Sequence, residues 1–105
     1  MILPKSFELA GLTVTIEINN NAIKENNFIG QSDFVFQKII MDIATAPRET
    51  VEQAFFHEAV HWILYIMNEH TLRNNEQFVD VFAHLLYQLL SSGDMLNSPS
   101  KLLYR

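Results

Sequence analysis

Apolar and polar residues alternate most clearly near the N-terminus. Every second position from residue 12 to residue 18 is apolar, namely Leu12, Val14, Ile16 and Ile18, and the residues between them are polar. This period of two predicts a strand with one buried face. A shorter apolar segment, residues 7–9, comes before a turn signal at Gly11, so we expect it to pair with residues 12–14 as a hairpin.

The next part of the chain is less regular. Residues 22–34 include Asn26, Asn27 and Gly30, which interrupt any helix, so irregular chain or a short strand is expected there. Residues 36–43 are rich in Ile, Phe and Met, which predicts a second principal strand. Residues 1–45 are thus expected to form a small antiparallel or mixed sheet.

A long helix is predicted over about residues 48–68. Its start is indicated either by Pro47, which suits a first helical turn, or by Thr50 and Gln53, which resemble a capping box. Apolar residues cover nearly all of its sides and leave one narrow polar face with His57, Glu58 and His61. Such a helix is expected to be buried, with its polar face turned to a site.

A second helix is predicted over about residues 75–91, after a polar connection at residues 69–73. Asn74 is the expected N-cap, and Gly93 is expected to end the helix. An apolar stripe runs along it, made of Phe78, Phe82, Leu85 and Leu89 and widened by Val79, Leu86 and Leu90. The fold class predicted from these elements is α+β, with the sheet packed on two helices.

Composition bounds the class of protein. The chain has 105 residues, of which 49% are hydrophobic and 18% charged, as in a single compact domain. We divide it into a sheet-forming part (1–45), a helical part (46–92) and a C-terminal tail (94–105). The net charge of -5, with scattered Lys and Arg, argues against nucleic acid as a partner.

Cysteine is absent, so any metal site has to use histidine and carboxylate ligands. The first residues lack the pattern of a secretory signal, and no apolar run approaches the roughly 18 residues of a membrane span. We therefore expect a cytoplasmic protein that does not contact membranes.

The candidate chemistry lies in the segment His57-Glu58-Ala59-Val60-His61. On a helix, positions four apart lie on one face and roughly 6 Å apart along the axis, so both histidines can bind one metal ion. Glu58 would stand beside that ion, where a general base takes a proton from a water molecule held by the metal.

A catalytic zinc site usually has three protein ligands and one open position. Glu76 and Asp80 lie four residues apart on the second helix, so both carboxylates could face the histidines if the two helices pack antiparallel. For Glu76 the competing interpretation is a favourable carboxylate at a helix N-terminus.

Three further residues are candidates for contacts to a substrate or a transition state. His84 lies one turn beyond Asp80, while Tyr65 and Tyr87 lie one or two turns beyond other site residues. The alternative interpretations are a structural or surface histidine for His84 and core tyrosines with satisfied hydroxyl groups for Tyr65 and Tyr87.

These motifs resemble those of the gluzincin metallopeptidases, in which a His-Glu-x-x-His helix is followed by a helix that carries a Glu ligand. Asn75-Glu76-x-x-x-Asp80 is similar to the motif of the thermolysin-like members. The chain is most similar to small gluzincin-like proteins of bacteria and phages, related to the ImmA/IrrE type, whose second helix carries a pair such as Phe82-Ala83. The resemblance covers roughly residues 55–90.

The resemblance implies a two-helix zincin core that binds one zinc ion. His57, His61 and Glu76 would be the ligands, Glu58 the general base, and Asp80 the carboxylate that orients a ligand histidine, His57 above all.

The expected function is hydrolysis of peptide bonds in a protein or peptide substrate. The substrate would lie along a sheet edge, for which residues 36–43 are the expected strand. The alternative is a non-catalytic interaction protein, such as a phage-like regulator or antirepressor, in which zinc only joins two helices. The tail residues Leu102, Leu103 and Tyr104 could pack on the domain, cover the cleft or join a second copy in a homo-oligomer.

Overall fold

The computed structural model describes residues 3–95. These residues form, in chain order, strands and helices with the following bounds: β1 (Ser6–Leu9), β2 (Leu12–Ile18), α1 (Ala22–Asn26), β3 (Gly30–Asp33), β4 (Lys38–Met41), α2 (Arg48–Ile66), α3 (His70–Arg73) and α4 (Glu76–Ser92). The strands make one mixed sheet in the order β1-β2-β4-β3. The expected α+β class is confirmed. The expectations for the tail concern residues outside the described range.

The N-terminal hairpin agrees with its prediction. β1 and β2 pair antiparallel, with Phe7 opposite Val14 and Leu9 opposite Leu12. The turn between them contains Gly11 at φ +81, a left-handed conformation that glycine adopts without strain. Val14 and Ile16 are buried while the polar residues between them are exposed, as the alternation indicates.

The second principal strand was predicted too long and in the wrong place in the sheet. β4 covers only Lys38–Met41 and lies between β2, to which it is parallel, and β3, to which it is antiparallel. The residues before it form a turn in which Oδ1 of Asp33 accepts hydrogen bonds from the backbone N–H groups of Val35 and Phe36. A free strand edge near α2 is therefore provided by β3 and not by residues 36–43.

Residues 22–34 were expected to be irregular or to form a short strand. They contain the short strand β3 and also the helix α1, which was not predicted. The short helix α1 depends on a contact that is distant in sequence, because Oδ2 of Asp42 accepts a hydrogen bond from the backbone N–H of Ile23 at 3.2 Å. Oδ1 of the same buried carboxylate accepts from the N–H groups of Ala44 and Thr45. Asn27 ends α1 at φ 60, a conformation that asparagine tolerates.

The two long helices were predicted to within a few residues. α2 begins after Pro47, so the capping box proposed at Thr50 does not mark its start. α4 begins one residue later than expected, since the N-cap is Asn75 and not Asn74, and the Asn75 side chain accepts from the N–H of Phe78 at 3.1 Å. The connection between them contains α3, which was not predicted.

α2 packs against the sheet on one side and against α4 on another. The core contains Trp62, Val60 and Phe55 from α2 together with the inward residues of β2 and β4. Contacts between α2 and α4 pair residue 52 with 87, 57 with 80 and 61 with 76, so the two helices run antiparallel, as the site required. None of the helices within residues 3–95 is long and apolar enough to cross a membrane.

The apolar stripe predicted on α4 lies mostly at the surface. α4 buries Val79, Ala83 and Tyr87, whereas Phe82, Leu85 and Leu89 are 49%, 58% and 62% exposed. The prediction placed the stripe away from the histidines, which agrees with the structure. It did not anticipate that the side of α4 that packs on α2 has fewer large apolar residues than the outer side.

Candidate metal centre

Three side chains from α2 and α4 bring potential metal ligands together. Nε2 of His57 and Nε2 of His61 lie 3.2 Å apart, and the Glu76 carboxylate lies 3.0 Å from the first and 2.9 Å from the second. One ligand atom from each residue falls within 4.8 Å of the other two, so the group could hold a metal ion. The histidine side chains are 19% and 13% exposed, and Glu76 is 68% exposed, which leaves the cluster open on the α4 side.

Asp80 approaches the same cluster from one turn further along α4. Its Oδ1 lies 3.2 Å from Nδ1 of His57. A carboxylate at this distance favours the tautomer that carries the proton on Nδ1, and the lone pair of Nε2 then points to His61 and Glu76. The contact therefore prepares His57 to act as a ligand through Nε2.

Glu58 is directed to the sheet side of α2. Its side chain is buried, and Oε1 accepts a hydrogen bond from the hydroxyl group of Ser32 on β3 at 2.8 Å. Burial raises the pKa of Glu58, while the hydrogen bond from Ser32 and the nearby His57 lower it in part. A buried carboxyl group with a raised pKa is a stronger base than an exposed one, as proton exchange with a substrate requires.

The environment of His61 favours the neutral imidazole. Burial lowers the pKa of His61, and the negative charge of Glu76 opposes this effect only in part. Metal ions bind neutral imidazole, so a lowered pKa keeps the ligand form of His61 populated at neutral pH.

Two cavities meet at the site and share Gly30, His57 and Glu58. The first, here called the α3-side cavity, has a volume of about 260 Å³ and is lined by Gly30, Gln31, Ser32, Phe34, His57, Glu58, His61, Arg73, Asn74 and Glu76. The second, the α2-side cavity, has a volume of about 420 Å³ and is lined by Asn27, Ile29, Gly30, Thr50, Gln53, Ala54, His57, Glu58 and Asp80. Together they form a cleft between β3 and the two long helices.

Sequence reasoning missed the contribution of β3 and α3 to this cleft. Ser32 and Gly30 lie in a segment without clear periodicity. Arg73 lies in residues 69–73, for which only a polar connection between the two long helices was predicted. A side chain at position 30 would meet the Met41 side chain of β4 and the Glu58 side chain of α2. A Cβ atom there would lie 2.7 Å from Sδ of Met41 and 3.3 Å from Cγ of Glu58. The signal in the sequence for this part of the cleft was Gly30, which precedes a short polar segment.

The structure does not bring the three candidate contact residues into the cleft. His84 and Tyr87 line a separate cavity near the start of α2, where the Tyr87 hydroxyl group donates to Oε1 of Glu52 at 2.7 Å. This bond raises the pKa of Tyr87 to about 12 and engages its hydroxyl group with Glu52, outside the two cavities that His57 lines. The ring of Tyr65 packs against Phe34. Tyr87 is thus a core residue with a satisfied hydroxyl group, as the alternative interpretation had it.

The chain has no match among protein-family models, curated proteins or solved structures. The cleft combines three potential metal ligands, a buried carboxyl group beside them and a strand at the edge of the sheet formed by residues 3–95.

Proposed function

We propose that this protein is a zinc-dependent peptidase with a minimal gluzincin-type core. The observation that carries the proposal is the position of Glu58. This buried carboxyl group follows His57 directly in the chain, receives a hydrogen bond from Ser32 and faces the cleft in which the metal ligands meet. A site that only joins two helices has no need of a buried base at this position.

The choice of zinc follows from the donor set and its spacing. Two imidazoles and one carboxylate are a common set of ligands in catalytic zinc sites. Ligand atoms at tetrahedral positions around zinc, each at about 2.0–2.2 Å, are about 3.3–3.6 Å from one another. Nε2 of His57 and Nε2 of His61 are 3.2 Å apart, close to this spacing. Glu76 contacts the first through Oε2 at 3.0 Å and the second through Oε1 at 2.9 Å, so the carboxylate would have to turn one oxygen towards both nitrogens to act as a single ligand.

In the proposed mechanism, a bound zinc ion supplies Lewis-acid polarisation and makes water more acidic. Glu58 accepts the proton that the attacking water loses and passes it to the amine that leaves. Its raised pKa suits both steps, because a carboxylate that is too weak a base would not take the proton. Ser32 holds one oxygen of Glu58 and so limits the orientations of this carboxyl group.

The edge of β3 is proposed to bind the main chain of the substrate. Among residues 3–95, β3 pairs with β4 alone, and its residues Gly30, Gln31 and Ser32 line the α3-side cavity. An extended peptide could add to this edge by main-chain hydrogen bonds, which fix a peptide without a demand for one side chain. This assignment replaces the strand at residues 36–43, which is enclosed between two neighbours.

One observation favours a second candidate function, a non-catalytic interaction protein in which the metal joins α2 to α4. The outer side of α4 exposes Phe82, Leu85 and Leu89. Apolar residues at three successive turns of one helix are typical of a surface that binds a partner. Under this alternative Glu58 would have no role in activity.

The substitution Glu58→Gln tests the proposal. Zinc content is measured by elemental analysis, and peptide cleavage is measured on a mixed peptide library by mass spectrometry. We expect the wild type and the variant to hold one zinc ion each and only the wild type to cleave peptides. Glu49→Gln, an exposed change on the same helix, is the matched control and should retain cleavage. A wild type without zinc, or equal cleavage by Glu58→Gln, would refute the proposal.

A further inference from the structure

Arg73 ends α3 and is held in place at the mouth of the α3-side cavity. Its guanidinium carbon lies 5.0 Å from the ring centre of Phe34 and 5.5 Å from that of Tyr65. Its Nε donates to Nδ1 of His70 at 3.4 Å, and its Nη2 lies 3.2 Å from the same nitrogen. Contact with two rings and with His70 restrains the guanidinium group, and the N–H groups of Nη1 and the second N–H of Nη2 are left for a ligand.

Arg73 lines the α3-side cavity together with Glu58 and Glu76 but forms an ion pair with neither of them. None of the ion pairs formed among residues 3–95 involves Arg73, whereas Lys38 and Arg48 each pair with a glutamate. An arginine that lines a cavity without such a pair is suited to bind an anionic group that enters the cavity, because its fork of donors matches a carboxylate.

The cleft is asymmetric in charge. Among the residues that line its two cavities, Arg73 is the only lysine or arginine, and it lies on the α3 side. The α3-side cavity also contains the carboxylate of Glu76, whereas the α2-side cavity combines Asp80 with neutral residues such as Asn27 and Thr50 and has no lysine or arginine. Gly30 and Glu58 belong to both cavities, so a peptide that follows β3 past Glu58 would have one end near Arg73 and the other in a neutral or acidic environment.

We infer that Arg73 determines specificity for a peptide that carries a carboxylate on the α3 side of the bond that is cleaved. This inference rests on the proposed peptidase function. The carboxylate belongs either to an Asp or Glu side chain or to the C-terminus of the peptide. Both present the same planar pair of oxygens to the guanidinium group.

Three zinc-chelating peptide hydroxamates test the inference by binding, without turnover. They share one sequence and differ in charge: the first has a Glu side chain and an amidated C-terminus, the second has Gln and an amidated C-terminus, and the third has Gln and a free C-terminal carboxylate. Dissociation constants are measured by calorimetry on zinc-loaded wild type, Arg73→Gln, Arg73→Glu and the control Lys24→Gln. Lys24 is exposed on α1 and lines neither cavity.

We expect the wild type and Lys24→Gln to bind one of the two carboxylate probes about tenfold or more tightly than the neutral probe, as for a charge-assisted pair. The carboxylate probe that binds more tightly than the neutral probe shows whether the side chain or the C-terminus is recognised. Arg73→Gln should lose the preference, and Arg73→Glu should reverse it.

Two results would overturn the inference, and zinc analysis of the same samples separates it from the proposed function. Zinc-loaded wild type that binds all three probes equally refutes the role of Arg73 without any need for a variant. A preference that persists in Arg73→Glu refutes it as well. Wild type that holds no zinc refutes the proposed function and the inference together.

Discussion

Asp80→Asn removes a negative charge beside His57 and changes the side chain little in size. Oδ1 of Asp80 lies 3.2 Å from Nδ1 of His57. A carboxylate in this position fixes the orientation of the ring and makes Nε2 a stronger ligand. An asparagine oxygen can still accept the hydrogen bond, but without the charge. We therefore expect the variant to fold normally and to bind zinc more weakly.

The size of the effect follows from the exposure of Asp80. Loss of such an outer partner typically weakens metal binding by about 10- to 100-fold. The Asp80 side chain is 78% exposed, and solvent screening places the loss near the lower end, about tenfold or ~1.4 kcal/mol. With zinc in excess, the same free energy is lost from the zinc-dependent stabilisation. For a domain of this size, the rise in Tm on adding zinc should then be smaller by roughly 6–11 °C.

Competition with a chromophoric chelator measures the dissociation constant, and thermal denaturation with and without zinc measures the stabilisation. Glu49→Gln removes an equal charge from an exposed position outside both cavities and should leave zinc binding unchanged. The reasoning is wrong if Asp80→Asn binds zinc as the wild type does. It is also wrong if Glu49→Gln weakens binding by the same factor, because the effect would then reflect net charge alone.

Three further predictions concern the sheet side of the cleft. Burial raises the pKa of Glu58, so the ionised carboxylate destabilises the folded state. Glu58→Gln should therefore raise the Tm of zinc-free protein at pH values above the pKa of Glu58 in the folded state. At pH values well below about 4.5 the carboxyl group is protonated in the folded and the unfolded state, and a similar gain in Tm there would contradict this prediction. Ser32→Ala removes a hydrogen bond to a charged group, worth about 1.5–3 kcal/mol, and this bond lowers the pKa of Glu58. The acidic limb of the pH dependence of kcat/KM should therefore move to higher pH at unchanged zinc content. An acidic limb that does not move would refute the role of Ser32. Gly30→Ala places a Cβ 2.7 Å from Sδ of Met41 and should cost about 1–3 kcal/mol in chemical denaturation. Unchanged stability would show that the Met41 side chain moves aside and would contradict this prediction.

The sequence predicted the parts of the site that depend on local periodicity. His57 and His61 share a face because a helix has 3.6 residues per turn, and Glu76 and Asp80 share a face for the same reason. Only the antiparallel packing of α2 and α4 was needed to bring these two pairs together.

The parts that were missed depend on contacts between distant segments. α1 is a weak helix in isolation, and the carboxylate of Asp42 caps it from 19 residues away. Residues 36–43 have the composition of a strand, but Asp33 turns the chain before Lys38 and shortens β4. Periodicity also cannot show which side of an apolar helix faces the core, and so the exposure of Phe82, Leu85 and Leu89 was not foreseen.

The hydrogen bond between Ser32 and Glu58 joins the sheet to α2 across 26 residues of sequence. The candidate ligands, in contrast, lie within one helical hairpin, in which His57 and Glu76 are 19 residues apart. The two halves of the site therefore depend on different parts of the folding process. Closing a short loop between helices costs little entropy and is fast, while the register of β3 requires the whole sheet. A partly folded chain could hold the metal before its base is in place. Metal content would then report that the hairpin has formed, and only turnover would report that folding is complete.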